Sequence, residues 1–117
     1  MASSSNGDIS TRYIYILELE NGHYYTGYTI DMERRWLEHV TGRNGARYTS
    51  SFKPVRILQC WQFEGTIGQA LKVERLIKHR KRAFKQRILQ SPEKLEVTVH
   101  KKIDDTISLQ LFPSLKS

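Results

Sequence analysis

Between His23 and His39 the sequence HYYTGYTIDMERRWLEH holds three tyrosines, two arginines and two histidines. Phenols and imidazoles can carry protons, and a guanidinium presents a fork of donors that matches the oxygens of a phosphate or carboxylate. Arg35 and His39 are four residues apart, so on a helix they point together beside an apolar stripe of Met32, Trp36 and Val40. Two readings stay open from periodicity: the pair edges a core, or it faces a site.

Glu74 is a second conspicuous residue. Ala70, Leu71, Val73 and Ile77 define an apolar helix face, and Glu74 falls inside it. An unpaired buried carboxylate is unfavourable by several kcal/mol, roughly, so it must be neutralised, paired with a cation such as an arginine, or bound to a hard divalent ion through oxygen. Spacing alone does not choose among these.

The elements that must position these groups follow from local signals. RYIYILE, residues 12–18, is rich in β-branched and aromatic types and reads as a strand; Asn21-Gly22 signals a tight hairpin turn, and HYYTGYT is the return strand. Asp31 caps a helix that stops near Gly42. Residues 43–54 read as a loop, and PVRILQCWQFE, residues 54–64, as a third strand. Thr66 and Gln69 match a capping box opening a second helix that runs to about His79, and a third spans roughly 82–90 before Ser91-Pro92. In the tail, LEVTVH and TISLQLF alternate around Asp104-Asp105 and suggest a late hairpin.

With 117 residues the chain suits one core rather than two. The expected organisation is a polar, disordered arm over 1–10, a domain over 11–91, and an extension over 92–117. Cys60 is the single cysteine, which excludes an intrachain disulfide and a Cys/His zinc cluster. The polar start lacks the apolar run of a secretory signal, and no stretch of about 18 apolar residues suggests a membrane span. An intracellular, cytoplasmic location is expected, nucleoid-associated if the source is bacterial.

Lys and Arg total 19 against 12 Asp and Glu, a formal charge of +7. Such a balance favours a polyanionic partner, although a solvated cationic surface that keeps a small protein soluble has the same composition. Between Lys72 and Arg87 eight Lys or Arg residues face only Glu74. The candidate phosphate-facing residues are Arg34, Arg43, Arg47, Lys53, Lys72, Lys78, Arg80, Lys81 and Arg82, and Arg56 adds to the charge of the loop and strand region. No strongly apolar amphipathic anchor accompanies them, which favours nucleic acid over membrane.

Taken in order, these residues resemble the GIY-YIG endonucleases, in particular small standalone catalytic domains. The first motif corresponds to Tyr13-Ile14-Tyr15 and the second to Tyr25-Thr26-Gly27, with Tyr13 in place of a glycine and Thr26 in place of an isoleucine. Tyr15 and Tyr25 are ten residues apart, Arg35 follows ten later, His39 comes one helical turn on, and Glu74 lies within KVERLIK. The similarity covers residues 12–90. It implies an α/β (α+β) fold with a small three-stranded, mainly antiparallel sheet, about three helices and a C-terminal β extension.

The resemblance also implies metal-dependent hydrolysis of DNA phosphodiester bonds, in repair or recombination or on branched DNA, with a protein partner for targeting. Glu74 would hold one Mg²⁺ or Mn²⁺, Arg35 would bind non-bridging phosphate oxygens, Tyr15 or His39 would help activate water, and Tyr25 would orient the phosphate or water. The rival reading is a nucleic-acid-binding module without turnover of its own, or one dependent on a partner.

Overall fold

The computed structural model describes residues 8–44 and 51–112. Its sheet has four strands in the order β2-β1-β3-β4, all neighbours antiparallel: β1 (Ser10–Leu19), β2 (Tyr24–Thr29), β3 (Pro54–Gly65) and the two-residue β4 (Gln110–Leu111). Four helices accompany it: α1 (Met32–Thr41), α2 (Ile67–Lys78), α3 (Arg82–Gln90) and α4 (Lys94–Lys102). The first three strands are the expected antiparallel sheet, β4 is the C-terminal β extension reduced to two residues, and the described part of the chain has one helix more than expected.

β1 is apolar in near-continuous fashion because it is central and covered on both faces. Ile14 and Ile16 point to one face, where Trp61 and Phe63 of β3 meet Val73 and Ile77 of α2, Ile88 of α3 and Leu95 of α4. Tyr15, Leu17 and Leu19 point to the other, against Met32 and Trp36 of α1. Side chains alternate along a strand, so a one-residue slip in β1 would exchange these two cores.

The hairpin between β1 and β2 is not a two-residue type I′ turn. The Gly22 amide donates to the Leu19 carbonyl at 2.9 Å and that of Leu19 to the His23 carbonyl at 2.9 Å, while Gly22 alone of the loop residues has positive φ, 84°. Type I′ needs positive φ at two successive residues; here one left-handed glycine closes a three-residue loop, and the Asn21 side chain accepts from the His23 amide.

Both expected caps form. Asp31 Oδ1 accepts from the Arg34 amide at 3.1 Å, and Gly42 ends α1 in the left-handed region, φ 73°. Thr66 and Gln69 exchange their capping-box hydrogen bonds at 3.1 and 2.9 Å.

The tail departs from expectation. LEVTVH is helical, within α4, because Leu95 and Val99 recur at i and i+4 and enter the core while Val97 faces out, 59 % exposed. Alternation over six residues reads equally as one face of a helix, and tertiary burial chose that face. Of TISLQLF only Gln110 and Leu111 form a strand, paired with Trp61 and Gln62. With Leu95, Val99 and Ile107 fully buried, residues 92–112 belong to the same core as the sheet. The expected N-terminal arm lies mostly outside the described residues, but Ser10 already opens β1 and the Asp8 carbonyl accepts from Arg12.

Candidate active site

Tyr15 and Tyr25 lie on adjacent strands and project to the α1 side of the sheet, with Tyr15 paired across the ladder to Gly27. Their rings stack with centroids 6.4 Å apart, and His39 of α1 meets Tyr15 and Tyr25 edge-on at 5.6 and 5.0 Å. The Tyr15 ring runs over Gly27 toward the free edge of β2: a Cβ built at position 27 would overlap the hydroxyl end of the phenol. The glycine is required by that overlap and has no positive φ.

His39 is fully buried, and Val40, expected on the apolar stripe of α1, is 42 % exposed. The seam of α1 therefore runs through Met32, Trp36 and His39. Burial of His39 is tolerated because its Nε2 lies 2.7 Å from the Tyr15 hydroxyl. Desolvation, with a smaller contribution from the charge of Arg35, lowers the imidazole pKa to about 4. Burial raises that of Tyr15 well above the usual phenol range, Tyr25 adding to the effect and Arg35 opposing it. At neutral pH the pair is thus a protonated phenol beside a neutral imidazole, and the Tyr15 hydroxyl also accepts a hydrogen bond from Arg35.

Arg35 is held in place by Glu38. Its Nη1 donates to Glu38 Oε1 at 2.7 Å and to the Asn44 carbonyl at 3.0 Å, while Asn44 Nδ2 and Arg34 engage the other oxygen at 2.8 and 3.7 Å. The Arg35 hydrogen bond, then that of Asn44, keeps the Glu38 carboxyl below its ordinary pKa. Glu38 escaped the sequence reading, although its i+3 spacing from Arg35 within RRWLEH is a readable ion-pair signal.

Glu74 sits differently from expectation. α2 buries Ala70, Val73 and Ile77, whereas Leu71 faces outward and Glu74 occupies a flank with its side chain 18 % exposed. Its carboxylate is 3.4 Å from Lys78 Nζ, so the cation that meets it is a lysine one turn on. Its negative charge nevertheless raises the pKa of Tyr15, so carboxylate and phenol act on each other. α2 packs on the face opposite α1, and it also touches β2, the edge strand. Among the described residues no three His, Cys, Asp or Glu side chains group as a metal cluster.

The cationic residues divide among several surroundings. Arg34 pairs with Glu38; Arg43 and Lys53 are exposed on either side of residues 45–50. Arg47 lies outside the described residues. Lys72 and Arg80 line a cleft beside α4, Lys78 pairs with Glu74, and Lys81 precedes α3. The Arg82 guanidinium stacks 3.8 Å above the Tyr24 ring.

A mixed α/β domain with two motif tyrosines, a buried histidine and an arginine gathered beside an edge strand has the features of a nuclease-type catalytic domain. Residues 11–87 match the family model for the GIY-YIG catalytic domain, and the chain belongs to that family. It is 41 % identical over 88 residues to a UPF0213 protein of Syntrophus aciditrophicus, covering 74 % of this chain and all of the relative. It is 46 % identical over 79 residues to a UPF0213 protein of Cupriavidus necator, covering 64 % and 84 %. The solution NMR structure of a UPF0213 protein from Bacillus halodurans aligns with a TM-score of 0.45 at 38 % identity, over 68 % of this chain and 83 % of that one. The family implies nuclease-type activity, and nucleases of this family act on DNA. No helix among the described residues is long and apolar enough to cross a membrane.

Proposed function

We propose that the protein is a divalent-metal-dependent endonuclease that hydrolyses DNA phosphodiester bonds, with Tyr15, Tyr25, Arg35, His39 and Glu74 forming its active site. The observation that carries this reading is the contact between the Tyr15 hydroxyl and His39 Nε2 at 2.7 Å, beside Arg35 and within the field of Glu74.

With His39 as the Nδ1–H tautomer, the Tyr15 hydroxyl donates to Nε2 while its oxygen accepts from Arg35 and keeps one lone pair for a further donor. A water at the phosphate can pass its proton to the Tyr15 oxygen as the Tyr15 proton moves to Nε2, so that one buried relay activates the nucleophile. Arg35 neutralises charge building on the non-bridging oxygens. Tyr25 orients the phosphate or the water.

A hard ion fits the donor type but has one protein carboxylate, Glu74, so water and phosphate oxygens would complete its shell, a coordination that suits magnesium or manganese better than a zinc-type site. When bound it supplies Lewis-acid stabilisation of the phosphate and favours deprotonation of the phenol or water. Action on branched or repair intermediates, and targeting by a protein partner, belong to the same reading.

One observation favours a second reading. Arg35 is engaged by Glu38 and Glu74 by Lys78, which suits a nucleic-acid-binding module whose turnover awaits a partner that releases these pairs. Incubation with duplex, nicked, branched and single-stranded DNA, with Mg²⁺ or chelator, separates them. Cleavage that requires the metal supports the endonuclease; tight binding of DNA with no cleavage of any form supports the module.

A further inference from the structure

The two flanks of α2 differ in kind. One carries Glu74. About 100–160° around the helix, at roughly 100° per residue, lie Lys72, Arg75 and His79, which with Arg80 and Lys102 rim a cleft of about 420 Å³ between α2 and the end of α4. Its floor is apolar, Leu76 and Ile103, both packed on the main core. Lys102 and Ile103 fall beyond residues 11–87, so this cleft is completed by a part of the chain that the family match does not cover.

Among the described residues none of the five rim side chains makes an ion pair. Asp104 feels the charge of Lys72 but is taken up by hydrogen bonds from Gln69 and Thr106. Four permanent cations and a histidine over an apolar floor therefore share one concavity. Like charges held this close repel, and a multivalent anion relieves the repulsion.

We propose that this cleft holds the sugar-phosphate backbone of the DNA strand that flanks the scissile bond, with phosphates on the cationic rim and deoxyribose against Leu76 and Ile103. The proposal rests on the nucleic-acid reading above and adds the path of the strand. A strand bound at Glu74 must continue somewhere, and Lys78 and Arg75 lead around α2 from that flank to the cleft. A helix is about 10–12 Å across, which a strand rising about 3.4 Å per nucleotide spans in roughly three or four nucleotides.

The test is binding of a fluorescein-labelled 20-base-pair duplex, followed by anisotropy in EDTA so that cleavage plays no part. Arg75→Glu/Lys102→Glu is compared with Lys94→Glu/Lys101→Glu, which makes the same change in net charge on exposed residues outside the cleft. The cleft variant should bind about tenfold or more weakly than the charge-matched control, and its slope of log affinity against log salt should be shallower by about 2. Lys102→Gln against Lys101→Gln, a milder pair, should differ in slope by about 1. Melting temperatures establish that each variant is folded.

Equal affinities and slopes for cleft and control variants overturn the proposal, and are the outcome expected if the cleft takes an acidic protein segment. Should the cleft variant lose binding while wild-type protein cleaves no form of DNA, the strand path stands and the endonuclease reading fails. Should Mg²⁺-dependent cleavage be present while cleft and control variants bind alike, the endonuclease stands and the path falls.

Discussion

Tyr15 and His39, 24 residues apart in sequence, meet through a 2.7 Å contact between hydroxyl and Nε2 in a site closed to solvent. A central strand supplies one partner and a helix packed on that strand's face supplies the other. Arg35 hydrogen-bonds to the same hydroxyl, so phenol, imidazole and guanidinium meet at one oxygen.

His39 ties stability to pH. Its folded pKa, about 4, lies below the 6.5 of the exposed side chain, so the unfolded chain binds a proton first as pH falls. The stability is fully present above about pH 6.5 and is lost as pH drops toward 4, by at most about 3 kcal/mol. Chemical denaturation from pH 7 to 4.5 should show a decline that His39→Gln largely removes; parallel curves for the two proteins would contradict the buried neutral imidazole.

Tyr15→Phe deletes the hydroxyl that meets Nε2 of His39 and accepts from Arg35, in a volume that stays filled. Stability should fall by about 1–2 kcal/mol and cleavage by about a hundredfold or more, with DNA affinity little changed. Full activity in the variant would remove Tyr15 from the relay.

Glu74→Gln separates an ionic role in structure from one in catalysis. The pair with Lys78 is partly exposed and spaced i to i+4, so its loss should lower stability by no more than about 0.5 kcal/mol. Cleavage should fall by orders of magnitude while binding persists. A folded Glu74→Gln protein with undiminished Mg²⁺-dependent cleavage would rule out the metal-ligand role.

Gly27→Ala places a methyl where the Tyr15 phenol lies. The ring is held by Tyr25 and His39 and cannot swing aside freely, so the change should cost about 1–3 kcal/mol and shift the tyrosine away from His39. Calorimetry alongside a cleavage assay checks both effects; an unaltered melting temperature would show that the ring yields more easily than its packing implies.

Thr26 faces the opposite core, is nearly fully buried, and its Oγ1 has no hydrogen-bond partner. Thr26→Val keeps the shape and removes the orphaned hydroxyl, so stability should rise by about 1 kcal/mol. A loss of stability on urea denaturation would mean that the hydroxyl is satisfied in solution.

Much of this protein is determined by residues close together in the chain. The central strand from Arg12 to Glu18, the caps at Asp31, Gly42 and Thr66, and the order of Tyr15, Tyr25, Arg35, His39 and Glu74 are legible because capping, turn chemistry and strand patterning act over a few residues. Tertiary structure decided the remainder. Whether His39 or Val40 turns inward depends on the Tyr15 hydroxyl that meets α1 from β1. LEVTVH becomes a helix because that conformation carries Leu95 and Val99 into the core and leaves Val97 facing out. Glu74 acts on Tyr15 only because α2 packs on the sheet that carries the tyrosine, and the cationic cleft exists only because α4 returns beside α2. Each of these depends on which surfaces meet, and contacts between residues distant in sequence carry no local periodicity from which they could be read.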